Sequence, residues 1–132
     1  MSISGFDHVS LPMRDTAAMV AFYRAVGFDV EESRAVVAVR AGANMINFHQ
    51  PDLWPRPEFT LRAPAAVPPC GDLCFVWDGD AETLDALLES AGAAIEEGPV
   101  GRVGARRLDA TSVYTRDPDG NLLEFMIYGE KA

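Results

Sequence analysis

The sequence predicts an α+β fold built from two tandem β-α-β-β-β modules, on three observations. Period-2 and period-3.6 stretches follow one another in the order β-α-β-β-β up to His49. Six of the nine prolines (51, 55, 57, 64, 68, 69) then interrupt the chain, and so many missing N–H donors describe a linker with extended pieces. Beyond it the pattern returns with nearly the same spacing. Gly27 lies 19 residues after His8 and Gly92 lies 20 after Asp72, which suggests an internal duplication. The 132 residues are therefore read as one domain: module 1 at about 4–50, a linker at 51–69 and module 2 at 70–129.

Phe6 to Leu11 alternates as a strand, with His8 and Ser10 on one face, and Pro12 ends it or marks its edge. A helix opens at Asp15 or Thr16, carries Met19, Phe22, Tyr23 and Val26 on one stripe, and stops at Gly27. Strands are expected at Phe28–Glu32, Ala35–Arg40 and Met45–His49. Within the linker, Trp54 and Phe59 are expected to tack the chain down. In the second half, Gly71–Trp77 reads as a strand. Asp80 caps a helix with Leu84, Leu87, Leu88 and Ala91 on its stripe, and Gly92 ends it. Ala93–Glu96 is read as a short strand, Gly98–Ala105 as a Gly-rich loop and Ala110–Arg116 as a strand. Asp117-Pro-Asp-Gly120 has turn chemistry, with Gly120 at the position that needs positive φ. A last strand, Asn121–Tyr128, follows.

A net charge of −9 argues against nucleic acid as partner, because that binding is built on clustered Lys and Arg. No apolar run reaches 18 residues, and no basic stretch with a hydrophobic core opens the chain. A cytoplasmic protein with no membrane partner is therefore expected. Cys70 and Cys74 sit four apart on one strand direction, about 13 Å at ~3.3 Å per residue, too far to bridge. Both are expected to be reduced, with Cys74 as a small core residue. Nucleotide loops, nucleophile elbows and paired Cys-x-x-Cys are absent from the sequence.

Glu124 is a lone carboxylate in an otherwise apolar strand. It is either an edge-strand acid facing water or a functional group with partners elsewhere. Aligning the halves pairs His8 with Asp72 and Asn47 with Glu124, four polar positions at equivalent places. The Phe6-Asp-His-Val9 opening, Ala21-Phe-Tyr23, Gly71-Asp-Leu-Cys-Phe75, Glu97-Gly-Pro-Val100 and the Asp117-Pro-Asp-Gly-Asn-Leu-Leu-Glu-Phe125 ending resemble the vicinal oxygen chelate superfamily. That superfamily takes in glyoxalase I, fosfomycin-resistance enzymes, extradiol dioxygenases and bleomycin-resistance proteins. The chain is most similar to its small glyoxalase-domain-containing members.

The resemblance implies curled mixed sheets around a cavity. It also implies a divalent metal held by the first and last strands of each module, and a homodimer, with the cavity formed within one chain or by module exchange. Carried over by position, His8 and Glu124 keep the first and last ligands, Asp72 stands where most members have a second histidine, and Asn47 occupies the remaining position. An imidazole and two carboxylates around a divalent cation nearly balance charge. Oxygen-rich ligation suits Mn, Mg or Fe(II), with Ni and Zn also open. The expected function is a metal-dependent lyase, isomerase or oxygenase that grips two oxygens of a small molecule and stabilises an oxyanion. The alternative is a metal-free protein that sequesters a small molecule.

His49 shares a face with Asn47 two residues on. It is a candidate catalytic base beside Glu124, or a hydrogen-bonded histidine at the sheet rim. Arg102, Arg106 and Arg107 are candidates to receive an anionic substrate group, or are solvated loop charges. Tyr114 and Asn47 are further substrate-binding candidates.

Overall fold

The computed structural model describes residues 1–129, which fall into two compact units that divide between Cys70 and Gly71. Unit 1 contains β1 (His8–Pro12), α1 (Thr16–Val26), β2 (Asp29–Glu32), β3 (Val36–Ala41) and β4 (Asn44–His49), in a sheet of order β1-β4-β3-β2. Unit 2 contains β5 (Asp72–Val76), α2 (Ala81–Ser90), β6 (Glu97–Val103), β7 (Asp109–Arg116) and β8 (Leu122–Tyr128), in the order β5-β8-β7-β6. Each sheet is mixed: its first and last strands run parallel and its other pairs run antiparallel.

The helix-covered face of each sheet carries the core. Asp15 caps α1 by accepting from Ala18 N at 3.2 Å, and Gly27 closes it at φ 102°. Met19, Val20, Tyr23 and Val26 are buried, with the Tyr23 ring 5.5 Å from Phe48. Phe22 stays half-exposed, because the stripe is rotated toward Val20. In unit 2, Asp80 accepts from Thr83 N at 2.8 Å, and Leu84 and Leu88 are the buried residues of α2. Leu84 lines a small void of about 20 Å³ with Val113, Phe125 and Ile127, which identifies the sheet face that α2 covers.

The two modules repeat the same joints. Met45 N donates to Asp7 O at 3.2 Å, as Leu122 N donates to Gly71 O at 3.0 Å. Asn44 and Asn121 occupy equivalent places at the entry to the last strand, Asn44 as the first residue of β4 and Asn121 just ahead of β8. Asn44 Nδ2 donates to Phe6 O, and Asn121 Oδ1 accepts from Gly71 N at 2.8 Å. In module 2 this joint is reinforced. Asp117 accepts from Gly120 N, Asn121 N and Asn121 Nδ2 at 3.0, 2.9 and 2.8 Å, and Gly120 has φ 102°. Asn121 is 1% exposed and Asp117 4%, so this pair satisfies polar groups that water does not reach.

Three expectations are corrected. Ala93–Glu96 is not a strand, and the supposed loop from Gly98 is β6, so Arg102 belongs to a strand. Glu97 pairs with Tyr114, a bulge between Glu97 and Val100 absorbs Gly98 and Pro99, and pairing resumes at Val100–Ser112. An edge strand tolerates proline because one side of it needs no donor. Cys74 is exposed rather than in the core, because strand parity puts it on the face away from α2.

The linker attaches to module 1. Trp54 Nε1 donates to Met13 O at 2.9 Å, Phe59 sits edge-on to His49 at 5.1 Å, and Arg62 lies 5.4 Å over the Trp54 ring. No helix among the described residues is long and apolar enough to cross a membrane.

Candidate functional site

Register gives the site its logic. In module 1, His8 pairs with Met45 and Ser10 with Asn47; in module 2, Asp72 pairs with Leu122 and Cys74 with Glu124. His8 and Asp72 are thus equivalent, as are Asn47 and Glu124, each one register step apart on the face that the helix leaves open. This is the arrangement that the sequence alignment of the halves anticipates.

Glu124 lies on β8, a central strand, between Cys74 of β5 and Tyr114 of β7. It is half-buried and is not an edge-strand acid. The fully buried Ser112 hydroxyl donates to Glu124 Oε2 at 2.6 Å. Cys74 is exposed as a residue, but partial burial of its thiol comes first in pushing that group up to about 12, followed by the Glu124 charge and a smaller push from Asp72. The Ser112 hydroxyl holds the Glu124 carboxylate in one orientation. The sequence reading assigns no role to Ser112, and it puts Cys74 in the core. Counting outward from the Asp117–Gly120 turn is the signal that finds Ser112, because Arg116–Leu122 pairing puts Tyr114 opposite Glu124 and Ser112 opposite Met126.

Asp72 is exposed, on the same face as Cys74 and Glu124. Arg102 reaches over from β6. Its Nε donates to Tyr114 Oη at 3.0 Å, its Nη1 donates to Gly101 O at 3.0 Å, and its guanidinium lies 5.5 Å from the Tyr114 ring centroid. Its pKa is raised by the Tyr114 hydrogen bond first, with the nearby charges of Glu97 and Glu124 contributing. Arg106 lies 4.5 Å over the Tyr128 ring. The turn that carries it packs so close to the sheet that a Cβ on Gly104 would overlap Tyr128 Oη and Met126 Sδ. Arg107 is exposed at φ 60°.

In module 1 the open face carries His8, Ser10, Asn47 and His49. His8 is exposed, with Nδ1 2.6 Å from Asp7 Oδ1. Asn47 is half-buried between Ser10 and Ala38. His49 is half-buried under Phe59, and burial first, then Arg62, lowers its pKa and favours the neutral ring.

Glu124 and Asp72 are hard oxygen donors on one surface, the donor chemistry that a divalent cation takes. Neither module, among its described residues, groups three His, Cys, Asp or Glu side chains closely enough to hold an ion by itself. Module 2 by itself supplies two donors.

These features define a class. The family model of the Glyoxalase/Bleomycin resistance protein/Dioxygenase superfamily matches residues 5–125, and the chain belongs to that family. Among particular relatives, it is 37% identical to the virulence protein STM3117 of Salmonella typhimurium over 97% of this chain and 87% of that protein. It is 33% identical to the glyoxalase domain-containing protein RDO1 of Mycosarcoma maydis, over 97% of this chain and 70% of that one. Its fold matches that of the solved structure VPC_CASS1 from the mobile metagenome of V. Pseudocholerae, with a TM-score of 0.85, 36% identity and 98% of both chains covered.

Proposed function

We propose that this chain acts on a small oxygen-rich molecule as a divalent-metal-dependent lyase, isomerase or oxygenase, with Glu124, Asp72 and His8 as the metal ligands. The observation that carries the reading is the register equivalence, which gives His8 and Asp72 one position and Asn47 and Glu124 another in two copies of the same module. Membership of the superfamily supports it. An ion bound there would supply Lewis-acid polarisation of substrate oxygens, with Mn, Mg, Fe(II), Ni and Zn all compatible.

The chain's own residues do the rest. Ser112 fixes the Glu124 carboxylate at Oε2 and leaves Oε1 for a ligand. Glu124 and His49 are the candidate groups for moving a proton; His49 suits the role of base because burial and Arg62 keep its ring neutral near pH 7. Asn47 and Tyr114 offer an amide and a phenol to the substrate, and its anionic end falls to one of three candidate arginines, Arg102, Arg106 or Arg107. A homodimer and a cytoplasmic location belong to the same proposal, with the two modules acting as parts of one domain.

A second reading, a metal-free protein that sequesters its ligand, is favoured by the fact that neither module closes a three-donor site alone among the described residues. Thermal melts with Mn, Fe(II), Ni or Zn separate the two. The first reading expects a metal-dependent rise in Tm that Glu124→Ala abolishes. Equal melts with and without metal would leave the second.

A further inference from the structure

Arg102 differs from Arg116 of the same module in how its charge is held. Arg116 is committed to a carboxylate, with Nε 3.1 Å and Nη2 3.2 Å from the oxygens of Glu96. Arg102 is instead fixed by neutral groups: the Tyr114 hydroxyl, the Gly101 carbonyl and the Tyr114 ring. Among the described residues no carboxylate lies within ion-pair distance of it, and its Nη2 amino group makes no hydrogen bond. This occurs in a chain with 20 acidic and 11 basic residues, where carboxylate partners are plentiful. Tyr114 pairs directly with Glu124, so the guanidinium is anchored one strand from the proposed ligand. Arg106 lies over Tyr128, whose register partner is Ala110, four residues along β7 from Tyr114. Arg107 stands at a turn with its side chain exposed.

We infer that Arg102 is the anion anchor of the site, and that the substrate carries a carboxylate, phosphonate or phosphate group that binds the open Nη edge of this guanidinium beside Glu124. The inference rests on the proposed location of the site, and it narrows three candidate arginines to one. A planar fork held in place by ring and hydroxyl loses little freedom on binding, and an oxyanion accepts from it in bidentate fashion. Tyr114 is the positioning residue: it touches the guanidinium and sets where the fork points.

The test uses the full chain stripped of metal by chelator, titrated with phenylphosphonate, with benzoate, and with neutral benzamide, following the arginine Nε–H resonances by NMR. The expected result is saturable binding of the two anions and not of benzamide, with the Arg102 resonance moving most. Arg102→Gln should weaken anion binding about tenfold, while Arg106→Gln and Arg107→Gln should change it less than about twofold. Tyr114→Phe, which keeps the ring and removes the hydroxyl, should weaken it about threefold. Equal responses to benzamide, or an Arg107→Gln loss as large as that of Arg102→Gln, would overturn the inference. Because Arg102 is exposed, its replacement should leave the melt unchanged, and a shifted Arg102→Gln melt is met by Arg102→Lys, which should retain charge yet lose most of the affinity. No metal enters these titrations, so their failure and the failure of the metal-dependent melt are separate results.

Discussion

The two modules share strand order, register and even the hydrogen bonds that join their first and last strands, yet they carry opposite chemistry on their open faces. Module 1 presents His8, Ser10, Asn47 and His49: two imidazoles, a hydroxyl and an amide. At the equivalent places module 2 presents Asp72, Cys74, Glu124 and Met126. Flanking residues diverge in the same sense: Asn47 pairs with Ala38, whereas Glu124 pairs with Tyr114 and accepts from Ser112. Equivalent backbone therefore does not imply equivalent function. Duplication supplies the positions, and the side chains beside them decide which position carries charge.

The largest contrast is expected at the joint. Asn121→Ala removes the hydrogen bond its Oδ1 accepts from Gly71 N and the one its Nδ2 donates to Asp117, at a site 1% exposed. It should cost about 2–4 kcal/mol in urea unfolding. Asn44→Ala, at the exposed equivalent in module 1, should cost less than about 1 kcal/mol. Equal losses would mean that the joints are not the unequal pair described.

Next in size is Cys74. With its thiol pushed up to about 12, it should alkylate slowly at pH 8 despite its exposure, because the thiolate is the nucleophile. Glu124→Gln removes the larger of the nearby charges and should speed the reaction about tenfold. An unchanged rate would show that Cys74 and Glu124 do not interact.

The smallest effect concerns His49. Its folded pKa lies below the ordinary imidazole value of 6.5, so between the two values the unfolded chain binds more protons than the folded one. The associated stability is fully present above about 6.5 and is lost as pH falls through the folded pKa. Arg62→Gln removes the lesser of the two causes and should raise the His49 pKa modestly, as read by NMR titration. A lower value in that variant would contradict the assignment.

Much of this architecture is legible before any coordinates. The Asp117–Gly120 turn, the Asp80 cap and the equivalence of His8 with Asp72 follow from local chemistry and from matching two halves, while Asp15 and Thr16 stay alternatives for the cap of α1 until its geometry selects Asp15. β6 is not legible, because Gly98, Pro99 and Gly101 read as a loop when their partner strand is unknown, and the bulge that accommodates them is a tertiary feature. Cys74 is misplaced for a related reason: its residue type favours burial, while the parity of β5 turns it to the open face. The Ser112–Glu124 and Arg102–Tyr114 contacts run across strands, so they need register, which single-strand periodicity does not contain. Glu124 itself is legible, as an acid where its strand is otherwise apolar.

The proposal most open to test is that Glu124, Asp72 and His8 are ligands of a divalent ion. Mn²⁺ titration followed by electron paramagnetic resonance tests it directly. The account predicts one ion per chain in the wild type, at least about tenfold weaker binding in His8→Ala, Asp72→Asn and Glu124→Gln, and little change in Asn47→Ala. Free Mn²⁺ signal persisting undiminished in the wild type, or a Glu124→Gln variant that binds as tightly, would contradict it.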